Sequence, residues 1–182
     1  AFEEVKYWDE FVNITNEARN SCASTLGLCW AGFALAYLAG VNKTVFDKKL
    51  FGVFPLKSLA PGHPLMGTQD DEFICPQSRF AGLPDLEMEE AQKEGKLNLL
   101  AYGKDVGYTI FETKDQKQLM HLGHPEYTVH RIISEINRDK EKGDVPPPEN
   151  FDINSSNTSW RSHRNLLFQQ WLWFCYQQVS LS

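Results

Sequence analysis

The strongest constraint on the fold is a short apolar segment that passes directly into helix-forming sequence. Residues 22–29 (CASTLGLC) are bounded by small residues and fit a buried strand. Residues 30–40 (WAGFALAYLAG) follow without a linker, are rich in helix formers and end at Gly40, a residue typical of a helix C-terminus. Cys29 is therefore expected where a strand passes into a helix, which favours an α/β fold.

The rest of the chain predicts further strands and helices. Apolar spacing predicts a helix over the first 20 residues, and short apolar runs between turn residues predict strands at about 97–102, 106–112 and 117–122. A helix is expected after Glu126, ending at Gly143, and another at about 164–179, apolar on most sides and therefore buried, in part in a subunit interface. Five prolines predict irregular structure over residues 41–92, and residues 144–160 are expected to be a connection without regular structure.

Composition excludes several classes of protein. The 182 residues suffice for one domain, and a net charge of −6 without a basic stripe argues against nucleic acid and anionic membranes as partners. No apolar run approaches the length of a membrane span. The four cysteines form no C-x-x-C pair and are expected to be thiols of a cytoplasmic protein. The five histidines lack ligand spacing, so no metal site is expected.

Gly27-Leu28-Cys29-Trp30-Ala31 is close to the G-x-[S/C]-x-G pattern of a nucleophile on a tight strand-to-helix turn. Small residues at 27 and 31 permit such a turn. The N–H groups at the start of the helix would stabilise a thiolate and form part of an oxyanion hole. Taken alone, however, this motif favours the alternative, a buried structural cysteine at a strand end.

Gly123-His124-Pro125-Glu126-Tyr127 follows a predicted strand. A cysteine nucleophile needs an imidazole to take its proton, and the imidazole needs a carboxylate to orient it. Glu126 can lie behind the His124 ring if the loop turns sharply at Pro125. Ordinary helix-start chemistry, with proline and an acid in the first turn, explains the same residues equally well.

Other charged residues are less informative by themselves. Glu135 and Arg138 share a helix face with Arg131, and helical spacing alone favours a solvated face of ion pairs. Arg79 could bind a carboxylate through two hydrogen bonds, although a single loop arginine is more often solvated. Lys49 is not distinguished by its sequence context.

Taken together, these segments resemble the homoserine O-acyltransferase family, the succinyl- and acetyltransferases of methionine biosynthesis. The matching stretches occur in the family's order across nearly the whole chain: TLGLCWA (25–31), KLFGVF (49–54), DDEF and PQSR (70–79), GHPEY (123–127), Arg138 and NTSWRSHRNLLFQQWL (157–172). The resemblance implies a three-layer α/β sandwich, flavodoxin-like and similar to class I glutamine amidotransferases. It also implies a homodimer and one α/β domain over residues 1–182 that lacks the family's N-terminal part.

The resemblance assigns roles to individual residues. Cys29 matches the nucleophile, His124 the general base and Glu126 its carboxylate partner. The N–H of Trp30 would donate to the oxyanion. The positions that match the substrate pocket are Lys49, Ser78, Arg79, Glu135 and Arg138, so the face interpreted above as solvated would line the site. Acyl-CoA, either acetyl-CoA or succinyl-CoA, would be the co-substrate, with no bound cofactor.

Departures from the family pattern leave the acceptor and the activity open. The helix after Cys29 is one residue short of the family pattern and lacks its glutamine, and Gln77 replaces the family's histidine before the Ser-Arg pair. Serine could therefore replace homoserine as the acceptor, which would make the protein a serine O-acetyltransferase of cysteine biosynthesis. An amidotransferase-like hydrolase or a non-catalytic family member would also be compatible with this sequence.

Overall fold

Six strands form one mixed sheet in the computed structural model, which describes residues 1–141, 143, 145–155 and 157–180. The strands are β1 (Thr25–Leu28), β2 (Thr44–Ser58), β3 (Glu72–Gly82), β4 (Leu97–Gly103), β5 (Gly107–Thr113) and β6 (Gln118–His121). Their order across the sheet is β1-β6-β5-β4-β2-β3. β1 and β6 are parallel, whereas the other neighbours are antiparallel. The carboxyl ends of β1 and β6 therefore lie side by side.

Within these described ranges, five helices cover the sheet, and a 3-10 turn, Phe2–Glu4, precedes them. They are α1 (Trp8–Ser21), α2 (Trp30–Leu38), α3 (Asp85–Lys93), α4 (Val129–Lys140) and α5 (Arg161–Ser180). Trp8, Phe33 and Met88 place α1, α2 and α3 in one apolar core with residues of β4, β5 and β6. Phe174 of α5 belongs to a second core, and α4 packs on β2 in a third. The architecture is a mixed sheet between helical layers.

Several predicted elements are confirmed. The segment before Cys29 is β1, and the segment after it is α2, which ends before Gly40 at a φ of 93°. The three short strands predicted between residues 97 and 122 are β4, β5 and β6. The helix predicted after Glu126 is α4, which ends at Lys140, before Gly143. The first and last predicted helices correspond to α1 and α5, and the three-layer α/β class is likewise confirmed.

The prediction of irregular structure over residues 41–92 is wrong. β2 and β3 form a long antiparallel pair there, and α3 follows Pro84. Pro76 lies on β3, an edge strand beside β2, so its missing N–H can point away from the ladder. Pro55 falls in the part of β2 that pairs with β3 alone, because β2 meets β4 at its last two residues. The prolines interrupt no central pairing among the strands described.

The expectation that the last helix is buried on most sides is also corrected. Of the residues described in α5, only Leu167 and Phe174 are buried. Leu172, Trp173 and Tyr176 are all more than half exposed. The helix therefore buries one narrow stripe against the sheet and leaves an apolar outer face.

Candidate active site

Cys29 lies on a strained turn between β1 and α2. Its backbone has φ 46° and ψ −108°, a conformation that residues other than glycine rarely adopt. Its N–H donates to the carbonyl of His121 at 2.8 Å, and its own carbonyl accepts from Phe33 in the first turn of α2. Strain of this kind persists only where surrounding contacts enforce it, and it is common at nucleophiles.

Close packing between β1 and α2 makes this turn possible. A Cβ on Gly27 would lie 2.8 Å from Leu35 Cδ1 and 3.0 Å from the Gly32 nitrogen, so no side chain fits there. The Trp30 N–H, the predicted oxyanion donor, belongs to the first turn of α2, where helix geometry supplies no internal acceptor. The sulfur and the free N–H groups of a helix start are therefore neighbours.

His124 and Glu126 form a hydrogen-bonded pair beside Cys29. His124 Nδ1 lies 2.6 Å from Glu126 Oε1, and the His124 side chain is 13% exposed. Burial alone would lower the pKa of His124, but hydrogen bonds to Cys29 and Glu126, together with their charges, raise it to about 9. At neutral pH the imidazole is therefore an imidazolium, which lies between the Cys29 sulfur and the Glu126 carboxylate.

We expect Glu126→Gln to lower the pKa of His124 below about 9, because the neutral amide removes both a charge and a charged acceptor. The imidazolium is then lost at lower pH, so the alkaline limit of the acylation that the sequence predicts at Cys29 should also move to lower pH. The rate should fall roughly 100-fold, in the range of a general acid–base contribution. An NMR titration of the His124 ring, with the pH profile of acylation, measures both. Glu94→Gln, which affects an exposed pair with Lys96, is the control, and an unchanged His124 titration in Glu126→Gln would contradict the assignment.

The turn that carries His124 is fixed by Trp160. Its indole Nε1 donates to the carbonyl of Tyr127 at 2.7 Å, and the side chain is 1% exposed. The Tyr127 ring stacks on the His124 ring with centroids 4.1 Å apart. Trp160, the first residue of WRSH, is therefore hydrogen-bonded to Tyr127, the last residue of GHPEY, and this contact fixes the turn that carries His124.

Trp160→Phe should destabilise the protein by about 1–3 kcal/mol, because it leaves the buried Tyr127 carbonyl without its donor. Trp173→Phe is a matched control, since Trp173 is 54% exposed and a surface change of this kind is worth about 0.5 kcal/mol or less. Urea unfolding of both variants measures the difference. Equal stability of the two variants would remove Trp160 from this role.

A second cluster of charges lies next to the His124 turn. Lys49 Nζ is 3.2 Å from Glu135 Oε1 and 2.5 Å from Asp139 Oδ2, and the three side chains are 3%, 5% and 7% exposed. Ser78 and Arg138 donate to the same Glu135 oxygen at 2.9 and 2.8 Å. Burial raises the pKa of Glu135, but Ser78, Lys49 and Arg138 together lower it, so the group is a carboxylate.

Glu135 retains one free acceptor in this cluster. Its Oε2 atom is buried and has no hydrogen-bond donor among the residues that the structure describes, while Oε1 is fully used. Burial, followed by the charge of Glu135, raises the pKa of Tyr127 to about 12. Tyr127 thus lies between the two groups, stacked on His124 and electrostatically coupled to Glu135.

Of the predicted pocket residues, the structure brings Lys49, Ser78, Glu135 and Arg138 together and separates Arg79 from them. The nitrogens of Arg79 donate to Gln77 Oε1 and to the carbonyls of Ala81 and Val106. Burial of the guanidinium lowers its pKa to about 10. Successive residues of β3 face opposite sides, so Ser78 points at α4 while Arg79 lies over the rings of Phe33 and Phe46.

Sequence reasoning missed Asp139. Its carboxylate accepts hydrogen bonds from both Lys49 and Arg138 and is buried. Asp139 lies four residues after Glu135, which places both carboxylates on one face of α4, and this spacing was the available signal. In the described ranges of the chain, no group of three or more His, Cys, Asp or Glu side chains is arranged to hold a metal ion. None of the helices described has the length and hydropathy required of a membrane span.

The fold and this site together define the class of protein. Solved structures with the same fold include a glutamine amidotransferase from Thermotoga maritima (TM-score 0.72, 12% identity, 95% of this chain and 71% of that chain). A glutamine amidotransferase from Methylobacillus flagellatus is similar (TM-score 0.73, 13% identity, 94% of this chain and 71% of that chain). The chain thus has a class I glutamine-amidotransferase-like fold, with a cysteine on the turn between β1 and α2 and a histidine and a glutamate on the turn after β6.

The particular family follows from the sequence comparisons. The profile of the homoserine O-succinyltransferase family matches residues 1–181, and the chain belongs to this family. Curated relatives include a homoserine O-acetyltransferase of Bacillus subtilis, 36% identical over 98% of this chain and 61% of that protein. A homoserine O-succinyltransferase of Psychromonas ingrahamii is 37% identical over 98% of this chain and 60% of that protein. The chain thus spans about three fifths of the length of these relatives.

Proposed function

We propose that this chain carries the catalytic centre of an acyl-CoA-dependent homoserine O-acyltransferase. The observation that carries the proposal is the hydrogen-bonded pair of His124 and Glu126 beside Cys29 at the start of α2, because covalent acyl transfer requires this arrangement. The names of the relatives supply the acceptor, and they include both acetyl- and succinyltransferases. The donor is therefore one of these two CoA thioesters. The proposed place of the reaction is methionine biosynthesis in the cytoplasm, by a homodimer as the family resemblance implies.

The first half of the reaction acylates the cysteine. The Cys29 thiolate attacks the thioester carbonyl, and the oxyanion forms beside the Trp30 N–H at the start of α2. The tetrahedral intermediate collapses with cleavage of the bond between the carbonyl carbon and the CoA sulfur. His124, an imidazolium beforehand, gives its proton to the departing thiolate. An S-acyl Cys29, a neutral His124 and free CoA remain.

The second half transfers the acyl group to the hydroxyl. Neutral His124 removes the hydroxyl proton as the oxygen attacks the acyl carbonyl. Collapse of the second intermediate breaks the bond to sulfur and restores the thiolate and the imidazolium. Glu126 stabilises the imidazolium in both halves through its contact with Nδ1. No external acid or base is consumed.

The charge cluster on α4 provides a site for the amino-acid end of the acceptor. An ammonium group can donate to the free Oε2 of Glu135, which is buried and already held rigidly by Ser78 and Lys49. Arg138 is 45% exposed, so its guanidinium can bind the acceptor carboxylate. Arg79, with its nitrogens on protein oxygens, supports the wall of the pocket and is not part of this proposal for the carboxylate.

The test is release of free CoA by the protein in its full natural length. Acetyl-CoA and succinyl-CoA would each be offered with homoserine, serine or glutamine as the second substrate. Release of CoA that depends on homoserine supports the proposal, and dependence on serine instead would replace the acceptor. Hydrolysis of glutamine without CoA release would show an amidotransferase-like enzyme. A folded protein inactive with every pair would be a non-catalytic family member.

A further inference from the structure

A second histidine lies three residues before His124 and has no role in the scheme above. His121 is the last residue of β6, and its side chain is 1% exposed. Its ring Nδ1 accepts a hydrogen bond from the Gly123 N–H at 3.0 Å. Its backbone carbonyl accepts from the Cys29 N–H at 2.8 Å. One residue thus contacts the backbone of the nucleophile turn and the backbone of the turn that carries His124.

The hydrogen bonds fix the tautomer of this ring. Burial, followed by the positive charges of His124 and Arg79, lowers the pKa of His121 to about 3, so the ring is neutral. Because Nδ1 is an acceptor, the proton of a neutral ring is on Nε2. Nε2 faces Cys75 Sγ at 3.8 Å, and the Cys75 thiol donates to the Pro76 carbonyl. Burial raises the pKa of Cys75, and the charge of Glu126 raises it further, so Cys75 remains a thiol. Its sulfur can therefore accept a hydrogen bond from the Nε2–H of His121.

The turn after His121 is tightly packed at Gly123. A Cβ on Gly123 would lie 2.5 Å from Gln77 Nε2, 2.9 Å from the Pro76 carbonyl and 3.0 Å from Cys75 Sγ. The His124 N–H donates to the same Pro76 carbonyl at 2.8 Å. The backbone at 123–124 is therefore pressed against β3, and the His121 ring accepts the hydrogen bond of its Gly123 N–H.

We propose that His121 is a positioning residue that sets the separation of Cys29 and His124, through its carbonyl to Cys29 and through Nδ1 to Gly123. The essential feature of its side chain is an acceptor at the Nδ1 position. A shift of about 1 Å between a catalytic pair is enough to cost roughly 100-fold in rate. The expected loss of acyl-transfer rate rests on the proposed function. The contact of Cys29 with His124 does not, because it is present without substrate.

The test compares His121→Asn with His121→Gln. The asparagine oxygen can occupy the Nδ1 position and accept from Gly123, whereas the longer glutamine places its amide near the Nε2 position. The readout is alkylation of Cys29 by iodoacetamide as a function of pH, followed by peptide mass spectrometry. Alkylation of the exposed Cys22 in the same sample is the internal reference. This measurement needs no acyl donor or acceptor, so it remains informative if the proposed reaction is absent.

We expect His121→Asn to keep a pH profile close to that of the unmodified protein. His121→Gln should slow the alkylation of Cys29 relative to that of Cys22 across the pH range, because His124 no longer lies against the sulfur. In the acyl-transfer assay, the same variant should lose roughly 100-fold in kcat with little change in KM for either substrate. Equal profiles for both variants, whether altered or not, would overturn the inference. A ¹⁵N NMR spectrum of the unsubstituted protein with the proton on His121 Nδ1 at neutral pH would also overturn it, and this measurement does not depend on the folding of any variant.

Discussion

Cys29→Ala is expected to reduce acyl transfer by roughly 10⁴-fold or more, because it removes the atom on which the proposed acyl group is carried. The rate measured is CoA release in the presence of homoserine. The loss should appear in kcat, since Cys29 lies on the turn at the start of α2 and its removal leaves the Glu135 cluster intact. Removal of the side chain does not require the turn to move, so the fold should survive.

Cys22→Ala is the matched control for this variant. Cys22 is an exposed thiol before the same strand, and its removal should leave the rate unchanged. Circular dichroism would establish that both variants are folded. A Cys29→Ala protein that retained substantial CoA release in the presence of homoserine would refute covalent catalysis at this position.

Glu135→Gln is expected to lower kcat/KM for homoserine by roughly 10²–10³-fold while acylation by the CoA thioester continues nearly unchanged. Loss of one partner of a buried charge pair costs about 3–5 kcal/mol. The lower part of this range, about 3–4 kcal/mol, corresponds to that factor. The free Oε2 that the ammonium would contact becomes part of a neutral amide. The measurement is the time course of CoA release. A burst without sustained turnover would show that acylation of Cys29 continues while transfer to homoserine is slowed.

Glu141→Gln makes the same chemical change at the end of the same helix. Glu141 is exposed at the C-terminal end of α4 and should have no effect on either half of the reaction. If Glu135→Gln instead slowed acylation as much as transfer, the cluster would be supporting the Cys29–His124 pair rather than the acceptor. Lys49 keeps Asp139 as a partner in this variant, which limits the loss of stability.

Local sequence predicted the elements that depend on local contacts. The small residues around Cys29 permit a tight turn, and the structure has one with a positive φ at that position. The three strands between residues 97 and 122 are bounded by turn residues and were found for that reason. The hairpin of β2 and β3 was missed because its stability comes from pairing across the sheet, and its prolines avoid the central ladder.

The contacts of the site likewise divide into local ones, which the sequence predicts, and long-range ones, which it does not. Glu126 lies two residues from His124, so their pairing could be anticipated from spacing. The contact of Lys49 with Glu135 and Asp139 joins segments far apart in the chain, and only the packing of α4 on β2 produces it. His121 cannot be identified from the sequence, because its contacts are with the backbone N–H groups of Cys29 and Gly123. No side-chain pattern encodes a role of that kind.

The most direct test of covalent transfer is the intact mass of the protein, in its full natural length, after incubation with acetyl-CoA or succinyl-CoA. We predict a gain of one acyl group from one of the two donors, mapped by peptide analysis to Cys29 and lost again when homoserine is added. A gain at another residue, or homoserine-dependent CoA release without any acylated intermediate at Cys29 under rapid quenching, would contradict the account.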